Sequence, residues 1–325
     1  MRIDCHAHVI VPEVLREPWG PRVRWEDGAQ VVELGGRTIR SAVRDFVAIE
    51  HILAAQDEAG IDHVVLCPWV NLLGYDAEPE EALERGRIQN GGLAALRTAH
   101  PERVSVLGTV PLQAPELAAD ELPALMASGF AGVEIAASVS GTPLGDERLA
   151  PFWAAAEATG ALVFVHPTTR GSDGVGFDDH YLWNLVGNPM ETTVAAAHLV
   201  LSGVLERHPD LRILLAHGGG AVLALRGRLH HGWANLAAAA TRLSEPPEDS
   251  LRRFFYDTVV FDPDVLRELV AFAGADRVLL GSDYPFDMAD ASPAETVAAA
   301  GLDPEQERAL LGGNASRLLG LEVHP

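Results

Sequence analysis

His6 and His8 stand two residues apart in the apolar run RIDCHAHVIV. On an extended strand that spacing turns both imidazoles to one face, where they can grip a single ion. A His-x-His pair alone discriminates little, because two hydrogen-bonded histidines in a core or on a surface have the same spacing. The repetition elsewhere carries more weight. His166 closes the apolar run ALVFVHP, His217 follows LRILLA just before a triple glycine, and Asp283 follows RVLLGS. Imidazoles and a carboxylate at the ends of expected strands form a nitrogen and oxygen donor set. It suits one Zn²⁺ with an open position for water, or Mn²⁺ or Fe²⁺. The competing reading is that these groups only brace the mouth of the fold. Four imidazoles and a charged carboxylate in apolar surroundings would then be costly without a partner.

The elements that must gather these residues are legible as about eight short Val-, Ile- and Leu-rich runs separated by longer amphipathic stretches. The runs begin near Arg2, His63, Arg103, Ala131, Ala161, Leu211, Phe254 and Arg277. The alternation predicts an α/β chain, a (β/α)8 TIM barrel forming one domain over residues 1–325, with its active site at the C-terminal ends of the strands. The periodicity breaks after the first strand. Residues 12–44, with Asp-Gly and Gly-Gly turns, read as a small hairpin insertion over the mouth. The irregular stretch from Thr168 to Asn188 follows the fifth run and is expected to shape the pocket as well.

Composition narrows the chemistry further. The formal net charge of −22 leaves no basic surface to displace phosphate counterions, so nucleic acid and anionic membranes are not expected partners. All 24 basic residues are arginine, which excludes a Schiff-base lysine, a P-loop lysine and a carbamylated-lysine metal bridge. Cys5 and Cys67 lie in strand-like runs and read as buried free thiols. No apolar run approaches the roughly 18 residues of a membrane span, and the chain opens directly into a strand. A cytoplasmic protein is the expectation.

Read in order, DCHAH at Asp4, HP at His166, GNPMETT at Gly187, AHGGG at Ala216, GSDYPF at Gly281 and GNASRLLG at Gly313 resemble the amidohydrolase superfamily. More narrowly, they resemble its amidohydrolase-2 family, the branch typified by aminocarboxymuconate semialdehyde decarboxylase. The resemblance covers nearly the whole chain. It implies that His6, His8, His166 and Asp283 hold the metal and that His217 is the catalytic acid/base beside Asp283. Binuclear members of the superfamily carry a bridging lysine where this chain has Glu134, which supports one metal ion here. Glu134 is left with a packing role or one behind the ligands. The resemblance further implies substrate contacts from Arg40, from Arg228 across a homodimer interface, and from Phe286.

These parts serve two reactions. A metal would lower the pKa of a bound water, with His217 assisting as base and acid. The expected activity is non-oxidative decarboxylation of a small, anionic, unsaturated or aromatic carboxylic acid. The alternative is a hydrolase or hydratase of a lactone, ester or amide, which needs the same first contacts. Asp257 reads either as a partner behind a ligand or as a local hydrogen-bonding residue. His180, Trp183 and Asn184 fall in a loop that could cover the pocket, while His51, His63, His100, His198 and His208 lie away from the expected mouth.

Overall fold

The computed structural model describes residues 1–321 except 27–28, 35–36, 42–45, 169–175, 178 and 240–242, and no side chain is described for 29–30 and 37–41. The apolar runs form eight parallel strands: β1 (Ile3–Val9), β2 (His63–Pro68), β3 (Val104–Gly108), β4 (Gly132–Ala136), β5 (Leu162–His166), β6 (Arg212–Leu215), β7 (Phe255–Asp257) and β8 (Val278–Leu279). Each pairs with its neighbour in chain order. The ring is drawn together by Cys5 N donating to Leu280 O at 2.8 Å, His8 N to Tyr284 O at 2.7 Å and a parallel bridge between Ala7 and Tyr284.

Strands buried on both faces need apolar residues at every position, which explains why they read as continuous runs and not as alternations. The alternation survives in where the side chains go. On β5, Leu162 and Phe164 join an inner cluster with Val65, Cys67, Leu214 and Leu279, whereas Val163 and Val165 join the outer layer beneath the helices. His166 continues the inward parity of β5. The His6 ring lies 4.7 Å from that of Phe164, and contact between strands that are not neighbours places both in the shared interior.

The insertion after β1 contains three antiparallel strands, Arg22–Glu26, Ala29–Leu34 and Arg37–Ser41, and so adds a strand to the expected hairpin. Val31 and Val32 of its middle strand are buried, which supplies the apolar contact that an isolated hairpin lacks. Among the described residues no helix is long and apolar enough to cross a membrane.

Candidate metal centre

The five ionisable residues singled out by strand position meet at one end of the barrel. His6 Nε2, His8 Nε2 and His166 Nε2 lie 3.0, 3.4 and 3.8 Å from Asp283 Oδ1. His217 Nε2 lies 3.2 Å from the other oxygen, Oδ2. The rings of His6, His8 and His166 pack edge to face with centroids 4.7–5.2 Å apart.

What distinguishes this cluster is where the other ring nitrogens point. His6 Nδ1 donates to Asp257 Oδ2 at 2.6 Å, His8 Nδ1 to Pro68 O at 3.1 Å and His166 Nδ1 to Pro167 O at 2.8 Å. With each Nδ1 hydrogen so engaged, all three Nε2 atoms turn toward the same carboxylate oxygen. These three nitrogens and Asp283 Oδ1 are buried, and no ordinary hydrogen-bond geometry satisfies them among the described residues. A divalent cation, displacing the proton that His6 holds in its absence, satisfies all four at once. The residues therefore fit the ion that the donor set implies.

Electrostatics agree. Burial alone would raise the pKa of Asp283, but the charge of His6 and the surrounding imidazoles hold it well below the usual carboxylate range. Burial, reinforced by His8 and His6, lowers His166 to about 3 and keeps it a neutral ligand. For His6, burial works against charge, yet Asp283 and Asp257 override it and raise the pKa to about 10. In the metal-free chain a proton thus occupies His6, where a cation would displace it.

The framework behind the cluster is built from two further carboxylates. Asp257, at the end of β7, accepts from His6 Nδ1 and His217 N on Oδ2, and from Gly218 N and Val259 N on Oδ1. One side chain thereby orients His6 and fixes the turn that carries His217. Asp4 accepts from His6 N, Gln56 Nε2, Ser282 N and Ser282 Oγ, tying β1 to the segment that presents Asp283. Both His217 and Asp283 adopt left-handed backbone, with φ of 54° and 63°. Such strain costs on the order of 1 kcal/mol or more per residue and persists only where the surroundings over-determine it. Here those surroundings are Asp257 at His217 N and the His6 carbonyl, which accepts from Asp283 N at 2.8 Å.

Asp257 was one of two open readings in the sequence, and the geometry resolves it as a partner of His6. The role of Asp4 was missed, although it shares the two-residue spacing of His6 and His8. Glu134 is fully buried on β4, with Oε1 3.7 Å from His8 Nδ1 and neither oxygen in a hydrogen bond by geometry. Burial pushes it well above the usual carboxylate range, and it stands beside Cys67.

A cavity of about 320 Å³ opens beside the cluster, and His217, Asp283, Asn184 and Asn188 contribute its polar lining. Leu185, Pro189, Val259, Val260 and Met288 supply apolar walls. Phe286 stacks on His8 and Phe46, with centroids at 5.2 and 5.5 Å. Arg228 is exposed on the helix Val222–Asn235 and does not line the cavity of its own chain. The backbone of Arg40 pairs with Val31 in the insertion, and its side chain lies outside the described residues, as does the loop segment 169–175. His180 is exposed and is not part of the cavity lining, while its loop neighbour Asn184 is. His63 is engaged by Glu102 O and Ser105 Oγ, remote from this site.

The family model Amidohydro_2, described as Amidohydrolase, matches residues 3–321. Over 268 residues the chain is 33% identical to 2-amino-3-carboxymuconate-6-semialdehyde decarboxylase of Dictyostelium discoideum, covering 81% of this chain and 74% of that one. The apo structure of Metarhizium anisopliae IDCase superposes with a TM-score of 0.86 at 25% identity, covering 99% of this chain and 98% of that one. A dihydroxybenzoic acid decarboxylase from Polaromonas sp. JS666, solved with manganese and 2-nitroresorcinol, is similar in fold, with a TM-score of 0.81 at 23% identity and coverage of 99% and 98%.

Proposed function

The chain belongs to the amidohydrolase family, and on that premise we propose that it is a metal-dependent, non-oxidative decarboxylase of an aromatic or otherwise unsaturated carboxylic acid. The observation that carries the reading is the convergence of three tautomer-fixed imidazoles and one ionised carboxylate beside a largely apolar cavity.

In this reading His6, His8, His166 and Asp283 hold one divalent cation. Zinc is the first choice for the donor set, with manganese or iron the alternatives. Bound there, the cation would hold a substrate oxygen next to the carboxylate and favour its deprotonated form, a stronger donor to the ring than the hydroxyl. Protonated His217, which lines the cavity and contacts Asp283 Oδ2, gives its proton to the ring carbon bearing the carboxylate. The bond from that carbon to the carboxylate then breaks, its electron pair returns to the ring and CO2 leaves. One proton has replaced one CO2, and His217 ends neutral. Asp283 Oδ2 orients the His217 ring before the transfer, and the apolar walls exclude water from the charge-separated intermediate.

Arg228 and Arg40 are the proposed holders of substrate carboxylate, with Arg228 reaching the cavity of a second copy in a homodimer, and Phe286, packed against the His8 ring, is the proposed apolar contact for the substrate. Exposed Leu185, Phe261 and Val265 around the cavity support a covered mouth.

The test is incubation of the metal-loaded protein with a panel of aromatic carboxylic acids and of lactones. Release of CO2 with the decarboxylated arene as co-product is expected. Ring-opened hydroxy acids from the lactones, with no CO2 from any acid, would move the assignment to a hydrolase.

A further inference from the structure

Asn188 and Pro189 of the motif GNPMETT line the cavity, whereas its Glu191 does not. Glu191 is buried in the first turn of the helix Asn188–Leu201, and burial raises its pKa from the usual carboxylate range to about 7. A carboxyl group is costly to keep in such a place without partners. Both of its hydrogen bonds among the described residues come from one neighbour. Glu191 Oε2 accepts from Thr168 N at 2.9 Å, and Oε1 accepts from Thr168 Oγ1 at 2.7 Å.

Thr168 stands two residues beyond His166, at the point where the chain leaves the sheet. The pairing of β5 with β4 ends at His166 opposite Ala136, and Ala137 N donates to His166 O at 2.9 Å. Pro167 has no N–H to anchor it, so the next backbone donor is that of Thr168. The Pro167 carbonyl and the Thr168 N–H belong to one planar peptide unit, and holding one end fixes the other. His166 Nδ1 donates to that carbonyl at 2.8 Å, the bond that turns Nε2 toward Asp283. Glu191 grips the opposite end of the same plane. Thr193, on the same helix, fastens a different segment: its Oγ1 donates to Pro189 O at 2.7 Å and accepts at 2.7 Å from Ala221 N, just past the His217 turn.

We propose that Glu191 is a positioning residue for the metal centre: by holding the Pro167–Thr168 peptide plane it fixes the carbonyl that orients His166, and so the direction of the His166 lone pair. The role rests on His166 being a metal ligand and not on which reaction the metal serves. Loss of either Glu191 or Thr193 loosens the same helix, but only Glu191 is joined to the peptide that orients a ligand. Glutamine in place of Glu191 preserves the grip, because its Oε1 accepts from Thr168 N while its amide donates to Thr168 Oγ1, whose hydroxyl accepts as readily as it donates. Leucine removes it.

The experiment measures the Zn²⁺ affinity of each chain by competition with a chelator, with thermal unfolding of the metal-free chains and CO2 release from the acid panel followed in parallel. Glu191→Leu should bind zinc about tenfold more weakly than wild type. Glu191→Gln should stay within about threefold. Thr193→Val should lower the unfolding temperature yet also keep zinc affinity within about threefold, which separates a loosened helix from a misdirected ligand. Should Glu191→Leu fail to fold, Glu191→Ala carries the same expectation. Wild-type affinity in the Leu or Ala variant, a Gln variant as weak as they are, or an equal fall in Thr193→Val would overturn the proposal, as would a wild-type chain that binds no zinc. The expected order of affinities with no CO2 from any acid would uphold the role of Glu191 and remove the decarboxylase reading. CO2 release with zinc affinity indifferent to Glu191 would do the reverse.

Discussion

Among the described residues, two clusters of ligand-type side chains share His6's end of the barrel, and they differ in how their ligand atoms are turned. His6, His166, His217 and Asp283 form the first, and His8, Cys67 and Glu134 the second, each set offering ligand atoms within 4.8 Å of one another. In the first, Nδ1 of His6 and of His166 is engaged, both Nε2 atoms face Asp283, and Asp283 is held well below the usual carboxylate range. In the second, burial works against the charged form of the ligand atoms. It pushes Glu134 well above the usual carboxylate range and the Cys67 thiol well up, and Cys67 Sγ donates to Ala7 O. His8 belongs to both by proximity, but its Nδ1 hydrogen goes to Pro68 O while its Nε2 lone pair faces Asp283. Composition and distance do not separate the clusters. The groups that stand behind each ligand atom do.

Removing the proton carrier from the first cluster should have the largest effect. His217→Ala is expected to retain metal and lose about a hundred- to ten-thousandfold in kcat. Wild-type turnover would remove His217 from the reaction. Asp257→Asn comes next, because both oxygens of Asp257 receive only donors and either orientation of an amide would set N–H against N–H. A fall of about ten- to a hundredfold in metal affinity is expected, measured by competition with a chelator. Unchanged affinity would mean that the hydrogen bond to His6 does not tune the site.

A pH comparison sharpens the contrast further. In the metal-free chain the pKa of His6 is raised from 6.5 to about 10. The stability gained from its charge is full below pH 6.5 and is lost as pH rises through about 10. Thermal unfolding at pH 7 and pH 10 should therefore show the stripped protein losing stability across that interval. The metal-loaded protein, whose His6 carries no such proton, should lose less. Equal pH dependence in both forms would contradict the proposed exchange of proton for metal. The smallest effect is expected in the second cluster. Glu134→Gln keeps the size of a buried group whose carboxyl faces His8 Nδ1 and not its Nε2, and metal affinity should stay within about threefold.

The strands and the convergence of the candidate ligands were legible because both obey local rules. An apolar run of a few residues announces a buried strand, and His6 and His8 lie late in one such run and His166 ends another, where a barrel gathers them. Asp257 was half-legible, since a residue at the end of β7 lies near the mouth, yet its hydrogen bond spans 251 positions and depends on how β7 closes toward β1. Asp4 carried a usable signal in its spacing from His6 and His8. Glu191 carried only its place in GNPMETT, because its grip on Thr168 spans 23 positions and is made by the assembled fold. The third strand of the insertion was compressed into a hairpin, although two turn pairs separate three strands there.

The most direct measurement is the metal content of the purified chain, by atomic emission, for wild type and for Asp283→Ala. The geometry predicts one divalent ion per wild-type chain and loss of most of it on removal of the carboxylate toward which three imidazole nitrogens point. Wild-type protein that takes up no divalent ion, or an Asp283→Ala chain that holds it at full occupancy, would contradict the account.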